Sequence, residues 1–260
     1  IDKANKKSTL SLVMILKNES KHLAACLDTV ADIVDEIIIL DSGSTDSTKE
    51  IAEKYNAKWH VNVDWQGFGK QRQLAQTYAT GDYVLVLDAD ERLDQPLRQA
   101  IVSVLSQPVQ TDKVFSVARV NQFCGIEVQK RFWYADKLAR LYAREHFQYS
   151  SLEVHESLDS KGVPVKRLDG YLMHLTNDDL HHFLLKNIRY SHDWATEKYN
   201  NGKQVNLLMV VLRSIFSFIR EYIIRGDILG GAYGLFLAVA SLGYTFDKYL
   251  MLWQKNQDKR

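Results

Sequence analysis

The sequence lacks the residues that mark several common sites. It has two cysteines, Cys26 and Cys124, and they form no metal-type cluster. A reducing compartment is therefore the default reading. Three prolines and thirteen glycines leave no room for a long flexible linker, and there is no internal repeat or low-complexity tract. The first apolar run is followed by Lys17-Asn18-Glu19-Ser20, with no glycine, so the G-x-G-x-x-G turn of a dinucleotide site is missing. No G-x-x-x-x-G-K-[ST] occurs either, which removes a P-loop nucleotidase. The polar opening stretch, Ile1–Ser8, has no apolar core, so no signal peptide is expected.

What is present is the composition of a folded protein: 46% apolar and 25% charged residues over 260 positions. The formal charge of +1 hides an asymmetry. Residues 1–107 carry 16 acidic and 12 basic side chains, whereas residues 181–225 carry 7 basic and 3 acidic ones. The acidic half is a poor nucleic-acid surface, so no nucleic-acid partner is expected, but it suits a metal site. The basic, apolar half suits an anionic membrane or glycolipid.

Three apolar runs, 10–16 (LSLVMIL), 36–40 (EIIIL) and 83–87 (YVLVL), have the length and continuity of strands buried on both faces of a parallel sheet. A weaker strand is expected over 57–63. Helices are predicted over 20–30, with Leu23, Cys26, Leu27 and Val30 on one face, over 47–55, where Ser47 and Glu50 read as a capping box, and over 69–79. The alternation implies an open α/β sheet. A further helix is expected over 94–107, opened by Asp94 with Pro96 near its start, and a strand over 113–121. Residues 122–176 read as mixed, and the stretch from Asp178 onward as helical. The organisation expected is residues 1–176 as a catalytic domain and 177–260 as a helical region.

Ligands of open α/β sheets sit outside the carboxyl ends of the strands. Three such ends carry acid here: Lys17-Asn18-Glu19, Asp41-Ser42-Gly43-Ser44-Thr45-Asp46 and Asp88-Ala89-Asp90-Glu91. A carboxylate accepts from base N–H or ribose hydroxyl groups, and an Asp-x-Asp pair can hold Mg²⁺ or Mn²⁺ across a diphosphate. Taken singly, these motifs read as turns and helix caps; all three in order, each after a buried strand, are far more specific.

The segments SLVMILKNE, EIIILDSGSTDST, GKQRQLA, GDYVLVLDADE and VHESL resemble family 2 glycosyltransferases of the GT-A fold. With RFWYADKLARLY, the His-Leu at 174–175 and the tail ending in KYLMLW, the chain is most similar to lipopolysaccharide or lipooligosaccharide core β-1,4-glucosyltransferases. The resemblance implies an open mixed sheet with a C-terminal helical extension. It implies an inverting hexose transfer, with UDP-glucose as donor and the heptose/core region as acceptor. Glu19 and Asp41 would contact the nucleoside, Gly43 would admit close backbone approach, and Lys70 would lie near base or phosphates. Asp88 and Ala89 would line the donor, and Asp90 would bind metal and diphosphate. The Glu-Asp pair that carries the catalytic base in many members has no clear copy. Its counterpart is Val154-His155-Glu156, which implies Glu156 as the base and leaves His155 on the acceptor side. His174 stands either as a metal ligand or as a structural histidine. Trp133, Asp136 and Arg140 would shape the acceptor pocket, with core packing the competing role for Trp133. The Q-x-x-R-W motif of processive members is absent, so addition of a single sugar is the natural reading.

Residues 207–225 are apolar with Arg213, Arg220, Glu221 and Arg225 interspersed, and residues 228–246 carry no charge over nineteen positions. The expectation is a pair of helices presenting an apolar, basic face to the cytoplasmic side of the inner membrane, where a lipid-linked acceptor and a cytosolic donor meet. A purely soluble helical subdomain, a homo-oligomer interface and a true span are the competing roles for this region. Rival functions are another lipid-linked or protein acceptor, a nucleotidyltransferase, and a nucleotide-sugar-binding protein without catalysis.

Overall fold

The computed structural model describes residues 7–123, 126–127, 136–150, 157–177 and 180–257. The chain divides into two compact units, one of Ile1–Asn121 with Tyr134–Thr176 and one of Gln122–Trp133 with Asn177–Arg260.

In the first unit, β1 (Leu10–Leu16) is buried at every position, as a continuous apolar run requires. It pairs in parallel with β2 (Glu36–Asp41) on one side and with β4 (Tyr83–Val86) on the other, and β3 (Lys58–Val61) extends the parallel part beyond β2. Between them lie α1 (Leu23–Leu27), α2 (Thr48–Lys54) and α3 (Phe68–Thr77). After β4 come the three-residue β5 (Glu91–Leu93) and α4 (Gln95–Leu105). The antiparallel part is built from β6 (Val114–Phe123), β8 (Asp136–Ala143) and β11 (Val165–Asn177), and the short β7 (Ile126–Glu127), which belongs to the second unit, pairs with Gln122 and Phe123 at the end of β6. The short β9 (Gln148–Tyr149) and β10 (Leu158–Asp159) form a separate antiparallel pair. Among the described residues the main sheet runs β3-β2-β1-β4-β8-β6-β11-β5, with β7 on β6. This is an open mixed α/β sheet, as expected.

Three local details differ from expectation. The first helix closes after Leu27 and continues as hydrogen-bonded turns, although Leu23, Cys26, Leu27 and Val30 do share one fully buried face. The Ser47–Glu50 capping box does not form, because the Ser47 side chain makes no cap bond. The adjacent Asp46 takes that role, accepting from the Thr48 N–H at 3.1 Å, from the Thr48 hydroxyl, and from the Ser20 N–H at 3.1 Å. The stretch read as mixed contains two long antiparallel strands, whose charged residues had masked the pattern. The Asp94 cap of α4 does form, with Oδ1 accepting the Leu97 N–H at 2.9 Å.

The second unit contains α5 (Leu180–Asn200), α6 (Leu207–Ile219) and α7 (Gly231–Gln257). A π-helical turn over Arg220–Ile224 continues α6, and a 3₁₀ turn over Asp227–Gly230 leads into α7. Trp194 of α5 meets Tyr249 of α7 edge to face, 4.8 Å between centroids, in a small core with Ala195, Val205, Val210 and Leu252. The helical stretch over residues 227–257 is long enough to cross a membrane and holds an 18-residue window apolar enough to do so, with mean hydropathy 1.5.

Candidate active site

The carboxyl ends of the parallel strands open into one cleft of about 530 Å³. The end of β1 contributes Ile15 to Lys17 and Glu19, and the turn after β2 contributes Ser42. The segment before and into α3 gives Val63, Trp65 and Phe68; the loop after β4 gives Asp88, Ala89 and Asp90; β11 gives His174. Glu19 and the Asp-x-Asp pair, far apart in sequence, thus face the same space. Trp65 and Phe68 stand edge to face at 4.8 Å and form its apolar wall.

The turns at this edge are stitched together. Asp41 is 3% exposed, and its Oδ2 accepts the N–H groups of Gly43 (2.9 Å) and Ser44 (2.8 Å), while Oδ1 takes the Ser44 hydroxyl. Gly43 sits at φ +92°, in the left-handed region that glycine tolerates. Asn18 bridges from the β1 end: its N–H donates to Ser44 Oγ and its Oδ1 accepts the Thr45 N–H, both at 2.8 Å.

Beneath the cleft lies a closed ring of charge. Asp88 Oδ1 accepts from Arg72 Nη2 at 2.8 Å and Oδ2 from Arg140 Nη2 at 2.9 Å. Arg140 Nη2 also reaches Glu91 Oε1 at 2.8 Å, and Glu91 Oε2 accepts the Asp88 N–H at 2.9 Å. Two guanidiniums and two carboxylates cancel, which is the condition for keeping charges away from water. Enclosure works against the Asp88 charge, but Arg72 and Arg140 outweigh it and hold its carboxyl far below the usual carboxylate range. Glu91 is fully buried; burial pushes it up against the pull of Arg140, and the neighbouring Asp88 adds to the rise. Arg92 pins the same loop, donating to the carbonyls of Ala89, Glu91 and His22.

Asp90 stands outside this ring. Its Oδ2 lies 3.1 Å from His174 Nε2, and His174 Nδ1 lies 2.8 Å from Asn121 Oδ1. Pairing of β11 with β5 sets His174 opposite Glu91, which is how a residue 84 positions downstream of Asp90 arrives beside it. With Nδ1–H donated to the amide oxygen, Nε2 presents a lone pair toward a carboxylate oxygen. In that tautomer a cation between the two acceptors would satisfy both. A carboxylate and an imidazole whose other nitrogen is already oriented are a fitting donor set for Mn²⁺ or Mg²⁺. Among the described residues no three His, Cys, Asp or Glu side chains gather into a metal-holding group. Asp90 and His174 would therefore share a cation with oxygens of the ligand.

Comparison with known proteins agrees with this geometry. Residues 11–122 match the model of glycosyl transferase family 2. That span holds all three acidic strand ends. Over those residues the chain is similar to family 2 glycosyltransferases. Curated glycosyltransferases align along nearly all of it. The lipopolysaccharide core biosynthesis glycosyltransferase LpsC of Rhizobium meliloti is 27% identical, covering 96% of this chain and 94% of its own. The uncharacterized glycosyltransferase RP128 of Rickettsia prowazekii is 26% identical, covering 94% and 85%. Among solved structures, Staphylococcus aureus TarS 1–349 in complex with UDP aligns at 17% identity over 97% of this chain and 92% of that one, with a TM-score of 0.47.

Across residues 11–122 and the strands that follow them, the expected site residues fall in different places. Glu19, Asp88, Ala89, Asp90 and His174 line the cleft. Asp41 and Gly43 flank the lining Ser42, and the Asp41 carboxylate is occupied in shaping the turn. Lys70 is exposed on α3, with Nζ 3.3 Å from Gln66 Oε1. Arg140 is a correction: it is 5% exposed and engaged by Asp88 and Glu91, so it supports the loop after β4 from below instead of facing the open cleft. Asp136 begins β8, while Trp133, His155 and Glu156 lie outside the described residues. The sequence reading gave no role to Arg72 and Arg92 and named Glu91 only as part of the acidic run after the third apolar strand. A basic residue on a helix reads as solvated, and the only signal against that was a surplus of neighbouring carboxylates needing partners.

Proposed function

We propose that this glycosyltransferase moves a hexose, glucose from UDP-glucose, onto the heptose/core region of a lipopolysaccharide or lipooligosaccharide acceptor, with inversion to a β linkage. The observation that carries the reading is the meeting of Glu19, Asp88, Asp90 and His174 in one cleft with an aromatic wall. Likeness to LpsC along nearly the whole chain favours the core acceptor.

Asp90 and His174 hold a divalent cation, Mg²⁺ or Mn²⁺, which when bound neutralises the diphosphate leaving group. Glu19 and Ser42 receive the nucleoside, and Trp65 and Phe68 close its apolar side against water. The Asp88–Arg140–Glu91 ring keeps the Asp88–Asp90 turn in one geometry, so the donor meets a site already organised. Glu156 takes the proton from the acceptor hydroxyl as that oxygen attacks the anomeric carbon; its assignment rests on the VHESL resemblance. The enzyme works on the cytoplasmic face of the inner membrane as a peripheral protein, where donor and lipid-linked acceptor meet.

The test is release of nucleoside diphosphate from a panel of nucleotide sugars by purified protein, with and without Mn²⁺, followed by truncated core oligosaccharides as acceptors. UDP-glucose turnover that rises with a heptose-bearing acceptor is expected. No turnover and no binding of any nucleotide sugar would remove the proposal.

A further inference from the structure

The second unit is built inside out relative to a helix pair in water. In water, amphipathic helices turn apolar residues toward each other and polar ones outward. Here the buried stripe of α6 is Val210, Ser214 and Ser217, continued by Glu221 in the π turn. The matching stripe along the earlier part of α7 is Gly234, Ala238 and Thr245; beyond it Tyr249 and Leu252 are buried in the small apolar core with α5. The contact between them is polar: Ser217 Oγ lies 2.7 Å from Ser241 Oγ, and the Thr245 hydroxyl donates to Ser217 Oγ at 3.0 Å. Gly234 admits the backbone itself, since a Cβ there would stand 1.7 Å from the Asp227 carbonyl oxygen.

The outward face is the apolar one. Leu208, Leu212, Ile215, Phe216, Ile219 and Ile223 are all exposed, up to 66% at Leu208. Small residues and hydroxyls inside with large aliphatics outside is the arrangement of helices that meet in lipid, where apolar surface has no reason to hide and interhelical hydrogen bonds supply the contact. Charge selects the kind of surface. Arg213 and Arg220, seven residues apart, share one flank of the apolar stripe. Lys248 and Arg213 lie over the Tyr244 and Tyr249 rings at 4.7 and 5.2 Å, an aromatic and basic border suited to headgroups. Glu221 is already held by Arg220 and Arg225, both at 2.8 Å. The thirteen residues of α6 extend about 20 Å, short of a hydrocarbon core of about 30 Å.

We propose that α6, the π turn and the first half of α7 lie in the plane of an anionic membrane leaflet, with the Leu208–Ile223 face in the acyl region and Arg213 and Arg220 at the phosphates. This deepens the lipid-linked-acceptor reading and rests on it for its purpose.

The full chain is to be floated with phosphatidylethanolamine/phosphatidylglycerol vesicles and with neutral phosphatidylcholine vesicles, beside Leu212→Asp/Ile219→Asp and the single Ile223→Asp, whose site is 62% exposed and loses no packing. The native chain is expected to float with the anionic vesicles, less so at high salt, and to be released by alkaline carbonate. Each variant should partition roughly tenfold less or weaker still, with unchanged circular dichroism and unchanged donor hydrolysis in solution. Failure of the native chain to float, variants that float equally, resistance to carbonate as for a span, or a dimer in light scattering that the variants dissolve would each overturn the proposal. Flotation intact with no donor turnover would sink the transferase reading and leave this one standing.

Discussion

Arg140 holds Asp88 and Glu91 with a single nitrogen, Nη2, at 2.9 and 2.8 Å. The first acid of the Asp-x-Asp pair is therefore committed to the protein, and the second, Asp90, lines the cleft beside His174. Removing the guanidinium leaves two carboxylates short of a counter-charge, which costs far more than the pair contributes when intact. Arg140→Met should lose about 3–5 kcal/mol of stability in urea unfolding. Retention of full stability would show that the ring is slack.

A second stability expectation concerns Gly170, in β11. It sits at φ +92°, and a Cβ there would lie 2.2 Å from the Leu97 N at the start of α4. Gly170→Ala should cost about 3 kcal/mol or more, through both the left-handed backbone and the overlap. A thermal midpoint equal to that of the native chain would contradict this packing.

Much of this fold was legible from apolar runs. The β1 run matches the strand end for end because six of its seven residues are apolar, and the exception, Ser11, is buried with its hydroxyl bonded to Glu36. The β8 and β11 strands were illegible for the converse reason: Lys137, Arg140, Lys166 and Arg167 break the alternation, and Arg140 is inside only because Asp88 and Glu91, some fifty positions earlier, are there to meet it. The acidic strand ends were readable as motifs, and the topology of a parallel sheet brings them to one edge. That His174 stands beside Asp90 was not readable, since it depends on the β5–β11 register.

One source of the pH dependence of stability lies at the opposite end of the sheet. Glu36 accepts from Ser11 at 2.5 Å, Lys58 at 2.6 Å and the Thr80 N–H at 2.6 Å. Burial pushes its carboxyl up, and these bonds outweigh burial and hold it at about 2, below its ordinary value of 4.5. Its contribution is complete above 4.5 and is lost as pH falls from there through about 2. Glu36→Gln should lower stability at neutral pH and flatten the acid limb in that window, with donor hydrolysis per folded molecule unchanged. An acid limb identical to the native one would place its source elsewhere.

Cys26 is fully buried beneath the cleft, and burial pushes its thiol up to about 12. Peptide mapping after iodoacetamide treatment at pH 8 should find Cys26 unmodified in the native chain and modified after denaturation. Modification in the native state would mean that the β4 end opens readily.

The central claim is that Asp90 and His174 share a divalent cation with the diphosphate. It is tested most directly by calorimetric titration of UDP into the native chain and into folded Asp90→Asn and His174→Ala, each with Mn²⁺ and with EDTA. The native chain should bind UDP at least about tenfold more tightly with Mn²⁺, and both variants should lose that increment while keeping the metal-free affinity. The same Mn²⁺ increment in Asp90→Asn would contradict the account.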